Sequence, residues 1–200
     1  MGIFDIIRDV GNLGRGCATD GYGFTDTDSI RNKINEEKRK FNRNSFLDHA
    51  TNKYVEPEIG SVVLCDLSPI PGLSALNLNA EHTGIYVGNG KIIHRSGDGY
   101  IESVTPKQFL ERLNGKNCAI SVYVSCLGDK SLNIFDSYNR ATSALGDPRH
   151  QGYDLFKKNC HHFTKYCLTG EIDNHDFTFT TLEIMLKSDF NMDNWRIWNY

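Results

Sequence analysis

Between residues 55 and 170 the apolar positions of this chain keep two different rhythms. At 60–65, 82–87, 91–94, 100–104 and 120–124 they fall in short β-rich runs, which predict strands. At 134–145 and 159–169 they recur roughly every three to four residues, which predicts helices. A shorter helix is expected over 105–113, opened by Thr105-Pro106 with proline at its first position. Asn159 can cap the last helix, and Gly170 stands just past its end, where a left-handed residue is favoured. Strands followed by helices imply an α+β fold, an antiparallel sheet packed against helices.

The strand at 82–87 splits into two faces, His82, Gly84 and Tyr86 on one and Thr83, Ile85 and Val87 on the other. The next strand follows through Gly88-Asn89-Gly90, a strong hairpin signal. Two registers are open. A three-residue loop sets His94 opposite Gly84, on the face of His82; a two-residue loop, Asn89-Gly90, turns His94 to the other face. In the first case the missing side chain at Gly84 leaves room between two imidazoles.

The flanks read differently. Residues 1–54 form an accessory segment in which Phe4, Ile7 and Val10 can line a short helix, before five glycines between Gly11 and Gly23 interrupt regular structure. Asp28 can cap a second helix with a sparse stripe of Ile30, Ile34 and Phe41 and a basic remainder, either a solvated face or a surface for an anionic partner. Residues 171–200 form an acidic C-terminal extension ending in Trp195, Trp198 and Tyr200.

Bulk composition narrows the function. Two hundred residues, 39% hydrophobic and 24% charged, describe a globular chain that can bury a core without staples. A net charge of -3 argues against nonspecific nucleic-acid binding by the whole molecule. Six cysteines without close pairs read as reduced thiols and a cytoplasmic setting. The start has neither a signal-peptide pattern nor a myristoylation motif, and no apolar run approaches the length of a membrane span.

Chemistry concentrates in two places. Cys160 is expected as the first residue of a helix, where unpaired N–H groups and the helix dipole favour a thiolate. Its stripe, with Phe163, Thr164 and Cys167, is expected to pack on the sheet and carry the sulfur toward the strand histidines. His162 then falls on the opposite side and His161 on the flank. A cysteine at a helix start is also met as a small buried residue, and each histidine alone as a satisfied polar one. A nucleophile and two histidines from separate elements, however, are what covalent thiol catalysis requires.

In these residues the chain resembles the lecithin:retinol acyltransferase (LRAT) family, a circularly permuted branch of the papain-like and NlpC-type thiol enzymes. The resemblance spans roughly residues 58–170. It rests on Gly60-Ser-Val-Val63, His82-Thr-Gly-Ile-Tyr-Val-Gly-Asn-Gly90, Ile92-Ile-His94 and Asn159-Cys-His-His-Phe163. It implies a permuted papain-like fold, with Cys160 as nucleophile, His82 as general base and His94 as the orienting third residue. It implies a thioester acyl-enzyme that passes its acyl group to water, an amine or an alcohol, and it implies no cofactor or metal. Backbone N–H groups at the helix start, with help from Tyr86, would hold the oxyanion. The partners implied are acyl-bearing small molecules, lipids or peptides, with at most peripheral membrane contact. Two departures stand out: His161 replaces the family's usual glutamate, and the tail is acidic where many members carry a hydrophobic anchor.

Three other readings share the same residues. One is an NlpC-type cysteine amidase or peptidase. Another is a catalytically silent binding domain on the same fold. The third is a metal module using Cys160 and Cys167, whose seven-residue spacing suits a structural zinc site poorly.

Overall fold

The computed structural model describes residues 54–67, 80–111, 121–152, 154, 158–172 and 178–200. The expected N-terminal helices and the glycine run lie outside the described residues. The described elements are β1 (Val62–Leu67), β2 (Ala80–Gly88), β3 (Lys91–Arg95), β4 (Ile101–Val104), α1 (Pro106–Leu110), β5 (Val122–Leu127), β6 (Lys130–Ser131), α2 (Phe135–Ser143), a 3-10 turn (Pro148–His150), α3 (Cys160–Thr169), α4 (Phe179–Asp189) and β7 (Asn194–Ile197). The fold is α+β. The strands form one antiparallel sheet in the order β4-β3-β2-β1-β5-β6, with β7 also paired to β5.

Each face of the sheet buries its own layer. Val62, Ile85 and Ile93 meet Ala141 of α2, Phe163 and Cys167 of α3, and Leu182 and Leu186 of α4. On the opposite face Val63, Cys65, Ile92, Val122 and Val124 enclose Phe109 of α1 and Trp198. Both sides are apolar because helices cover one and a short helix plus the tail cover the other. The central strands therefore carry side chains of buried type at successive positions rather than in strict alternation.

Local signals explain the helix ends. Thr105 and Gln108 form a reciprocal capping box at α1, with Pro106 in its first turn. The segment 171–200 is more than an extension in outline: it supplies α4 and β7. β7 pairs with β5 from Tyr123↔Ile197 to Cys126↔Asn194. The Val55 N–H donates to the Ile197 carbonyl and the Trp198 indole N–H to Glu56, so the tail meets the segment leading into β1. Among the described residues no helix is long and apolar enough to cross a membrane.

Candidate functional site

The site is built on α3 and the β2–β3 hairpin. Asn159 precedes α3 in extended backbone, and its side-chain oxygen accepts from the N–H groups of His161 (2.8 Å) and His162 (3.1 Å). The His162 ring closes the box, with Nδ1 accepting from the Asn159 N–H at 3.4 Å. His162 is thereby buried rather than turned to solvent: the ring folds back over the cap. At the other end Gly170 takes φ 80 and donates to the Tyr166 carbonyl. Arg140 of α2 donates to the carbonyls of Cys167 and Leu168, both at 2.9 Å, placing a cation at the negative end of the dipole. The helix that begins with Cys160 is thus held at both termini.

Between its ends α3 is tied to the sheet by a buried polar line. The Thr83 hydroxyl lies 2.9 Å from that of Thr164 and 3.1 Å from His161 Nδ1. Burial pushes the His161 imidazole down to about 4, against the pull of the Glu81 carboxylate, so it is neutral at neutral pH. The flanking position expected for His161 becomes the link between strand and helix.

The hairpin resolves the two registers in an unexpected way. Lys91 pairs with Gly88, so the turn is the two-residue Asn89-Gly90, with positive φ at both residues (51° and 63°). That turn alone would put His94 on the wrong face. A shift between Tyr86 and Gly88 absorbs one residue, and the ladder resumes with Tyr86↔Ile92 and Gly84↔His94. The imidazoles of His82 and His94 then meet edge-on, ring centroids 5.1 Å apart and planes at 83°. Both lean on Phe109, at 5.0 and 5.6 Å. A Cβ on Gly84 would lie 2.8 Å from Ile92 Cγ2 and 3.1 Å from His94 Cβ, so this close pairing needs glycine.

One participant escaped the sequence reading. Glu102 of β4 pairs directly with His94, and its Oε1 sits 3.2 Å from His94 Nε2. Strand 100–104 was legible, but its register against β3 depends on the five-residue connection 96–100 and carries no local mark. His82, His94 and Glu102 form a line running from buried imidazole to a half-exposed carboxylate.

Cys160, 5% exposed, comes to β2 at the residue before His82. Its thiol is directed to the Glu81 carbonyl at 3.9 Å, the residue before His82. The body of α3 packs on the Thr83–Ile85 face of β2, opposite the face of His82, and only its first turn comes to the strand beside the histidine. Arg95, next to His94, donates to the carbonyls of Asn159 (3.5 Å) and His150 (2.9 Å), adding a second tie between hairpin and helix start. Tyr86 meets Trp198 edge-on, ring centroids 5.1 Å apart, farther along the strand. Among the described residues no group of three or more His, Cys, Asp or Glu is arranged to hold a metal ion.

No curated protein and no solved structure matches the chain. The sequence profile of one family, described as lecithin retinol acyltransferase, matches residues 66–173. That match takes in β2, β3 and α3, the elements that carry both histidines and the cysteine, and covers more than half of the chain. The chain belongs to the lecithin retinol acyltransferase family.

Proposed function

We propose that this protein is a thiol acyltransferase or hydrolase working through a thioester on Cys160. The observation that carries the reading is the line His82–His94–Glu102, whose first member adjoins the carbonyl that the Cys160 thiol faces. His82 takes the thiol proton, and the sulfur attacks an acyl carbonyl. The tetrahedral intermediate collapses as the imidazolium returns its proton to the departing alcohol or amine. Water, an alcohol or an amine then gives its proton to His82 and attacks the thioester, and the released thiolate is reprotonated. His94, held by Glu102, fixes the His82 ring and supports its charge. N–H groups at the start of α3 are the donors available to the developing oxyanion.

The family description names lecithin, and a lipid ester is the acyl donor we propose. Cys65, Cys126, Cys160 and Cys167 are not joined in disulfides, which supports a reducing, cytoplasmic setting.

Alkylation of the full chain by iodoacetamide, mapped by peptide mass spectrometry, tests the nucleophile. Cys160 should label selectively at pH 7. Burial raises Cys126 to about 11 and holds Cys167 well above its usual range, so both should stay inert. Labelling should collapse in His82→Ala. A Cys160 that reacts no faster than the other thiols, or one indifferent to His82, would overturn the mechanism and favour a catalytically silent binding domain.

A further inference from the structure

We propose that the cavity along the flank of α3, between its first turn and Glu171, binds a phosphate group. This cavity, about 250 Å³, is lined by Arg95, Arg149, Lys158 and Lys165 together with His150 and Glu171. Its volume suits a compact anion better than an extended ligand. Arg149 carries its own counter-ion in Asp147 at 2.6 Å, so four cations stand against two carboxylates.

The cations come from four separate segments: the end of β3, the 3-10 turn, the residue before Asn159, and α3 itself. They therefore meet the cavity from several sides, which matches a tetrahedral oxyanion better than a planar carboxylate. Backbone carbonyls hold two of them in place. Arg95 donates to the His150 carbonyl, and Lys158 Nζ to the carbonyls of Arg149 and Gln151.

A buried imidazole supplies an independent observation. His150 is only 3% exposed and lines the cavity, yet its Nε2 has no hydrogen-bond partner among the described residues. Burial first, then the charges of Arg95, Arg149 and Lys158 working against Asp147, hold this imidazole below its usual range. Lys158 is held down likewise by burial and by Arg95. Cations that repel one another around a buried, unsatisfied nitrogen are relieved together by one phosphate.

The location ties the cavity to the chemistry. Arg95 follows His94, and the Asn159 carbonyl it holds precedes Cys160. The phosphate can be part of an acyl donor, in which case the inference rests on the proposed thioester mechanism, or it can be free phosphate acting beside the site.

Titration of the full chain with inorganic phosphate at constant ionic strength, followed by calorimetry, tests the site. Saturable binding is expected, and Lys158→Gln and Lys165→Gln should each weaken it about tenfold, the loss of one charge-assisted contact. Cys160→Ser should bind phosphate like the parent, which separates this inference from the fate of the thioester mechanism. The source is read from kcat/KM for one acyl group carried on a phosphorylated and on an uncharged alcohol. A tenfold fall of that ratio in Lys158→Gln assigns the phosphate to the donor; an unchanged ratio with weakened phosphate binding assigns it to the free ion. Absent saturable binding, or binding indifferent to both lysine variants, would overturn the proposal.

Discussion

The two faces of β2 do different work. On one, His82 meets Phe109 and His94, and the bare Gly84 leaves room for the two imidazoles. On the other, Thr83 and Ile85 turn toward α3, through the Thr83–Thr164–His161 line and the Phe163 cluster. Because strand side chains alternate, neighbouring residues serve chemistry and architecture separately. The difference teaches that the cysteine is positioned by the residues between the candidate catalytic ones, not by those residues themselves.

Crossing the two faces by mutation should give the largest separation. His82→Ala should lower turnover about a thousandfold or more with the melting temperature nearly kept, and His94→Ala should leave partial activity. Thr83→Val should do the reverse, costing about 1–3 kcal/mol of stability by leaving buried partners unsatisfied while retaining much of the turnover. Paired measurements of kcat and denaturant midpoint decide it. Equal losses of both quantities in the two variants would erase the division of labour.

Acid should strike the architectural face next. The folded-state value of His161, about 4, lies below the roughly 6.5 of the unfolded chain, so the unfolded state binds the extra proton between them. Stability is therefore fully present above pH 6.5 and is lost as the pH falls toward 4, by up to about 3 kcal/mol. His161→Gln should flatten this part of the stability–pH curve. An unchanged slope in the variant would assign the acid sensitivity elsewhere.

The smallest effect is expected at the glycine that lets the histidines meet. Gly84→Ala brings a methyl to 2.8 Å from Ile92 Cγ2, a flexible side chain, but also to 2.9 Å from the Ile93 carbonyl oxygen in the backbone. A cost of about 1–3 kcal/mol is expected from this overpacking, with a larger KM or lower kcat than stability alone explains. Unaltered kinetics in Gly84→Ala would mean that the His82–His94 spacing is not what turnover depends on.

Much of this was legible in the chain itself. The cap at Asn159, the stop at Gly170, the capped start of α1 at Thr105-Pro106 and the strands of the hairpin all announce themselves, because each depends on residues within a few positions. Element ends moved by small amounts: β5 runs from Val122 rather than 120, and α2 from Phe135 rather than 134. The tail concealed more. Its acidic, aromatic composition gave no sign of a strand beside β5, because β7 is half-buried and its pairing partner lies far back in the sequence.

What the sequence by itself determined is the run of elements β1 to β5 and α1 to α3, the alternation that separates His82 from Thr83, and the helix start that presents Cys160. Their physical causes are local: backbone preference, side-chain period and the need of the first N–H groups for a cap. Only the tertiary structure decided that a bulge after Tyr86 returns His94 to the face of His82 and that Glu102 lies against it. It likewise decided that His161 ties helix to strand, and that basic residues from four segments surround one cavity. Each of these depends on register or on groups distant in sequence, and a one-residue shift that costs little locally reverses every side chain beyond it.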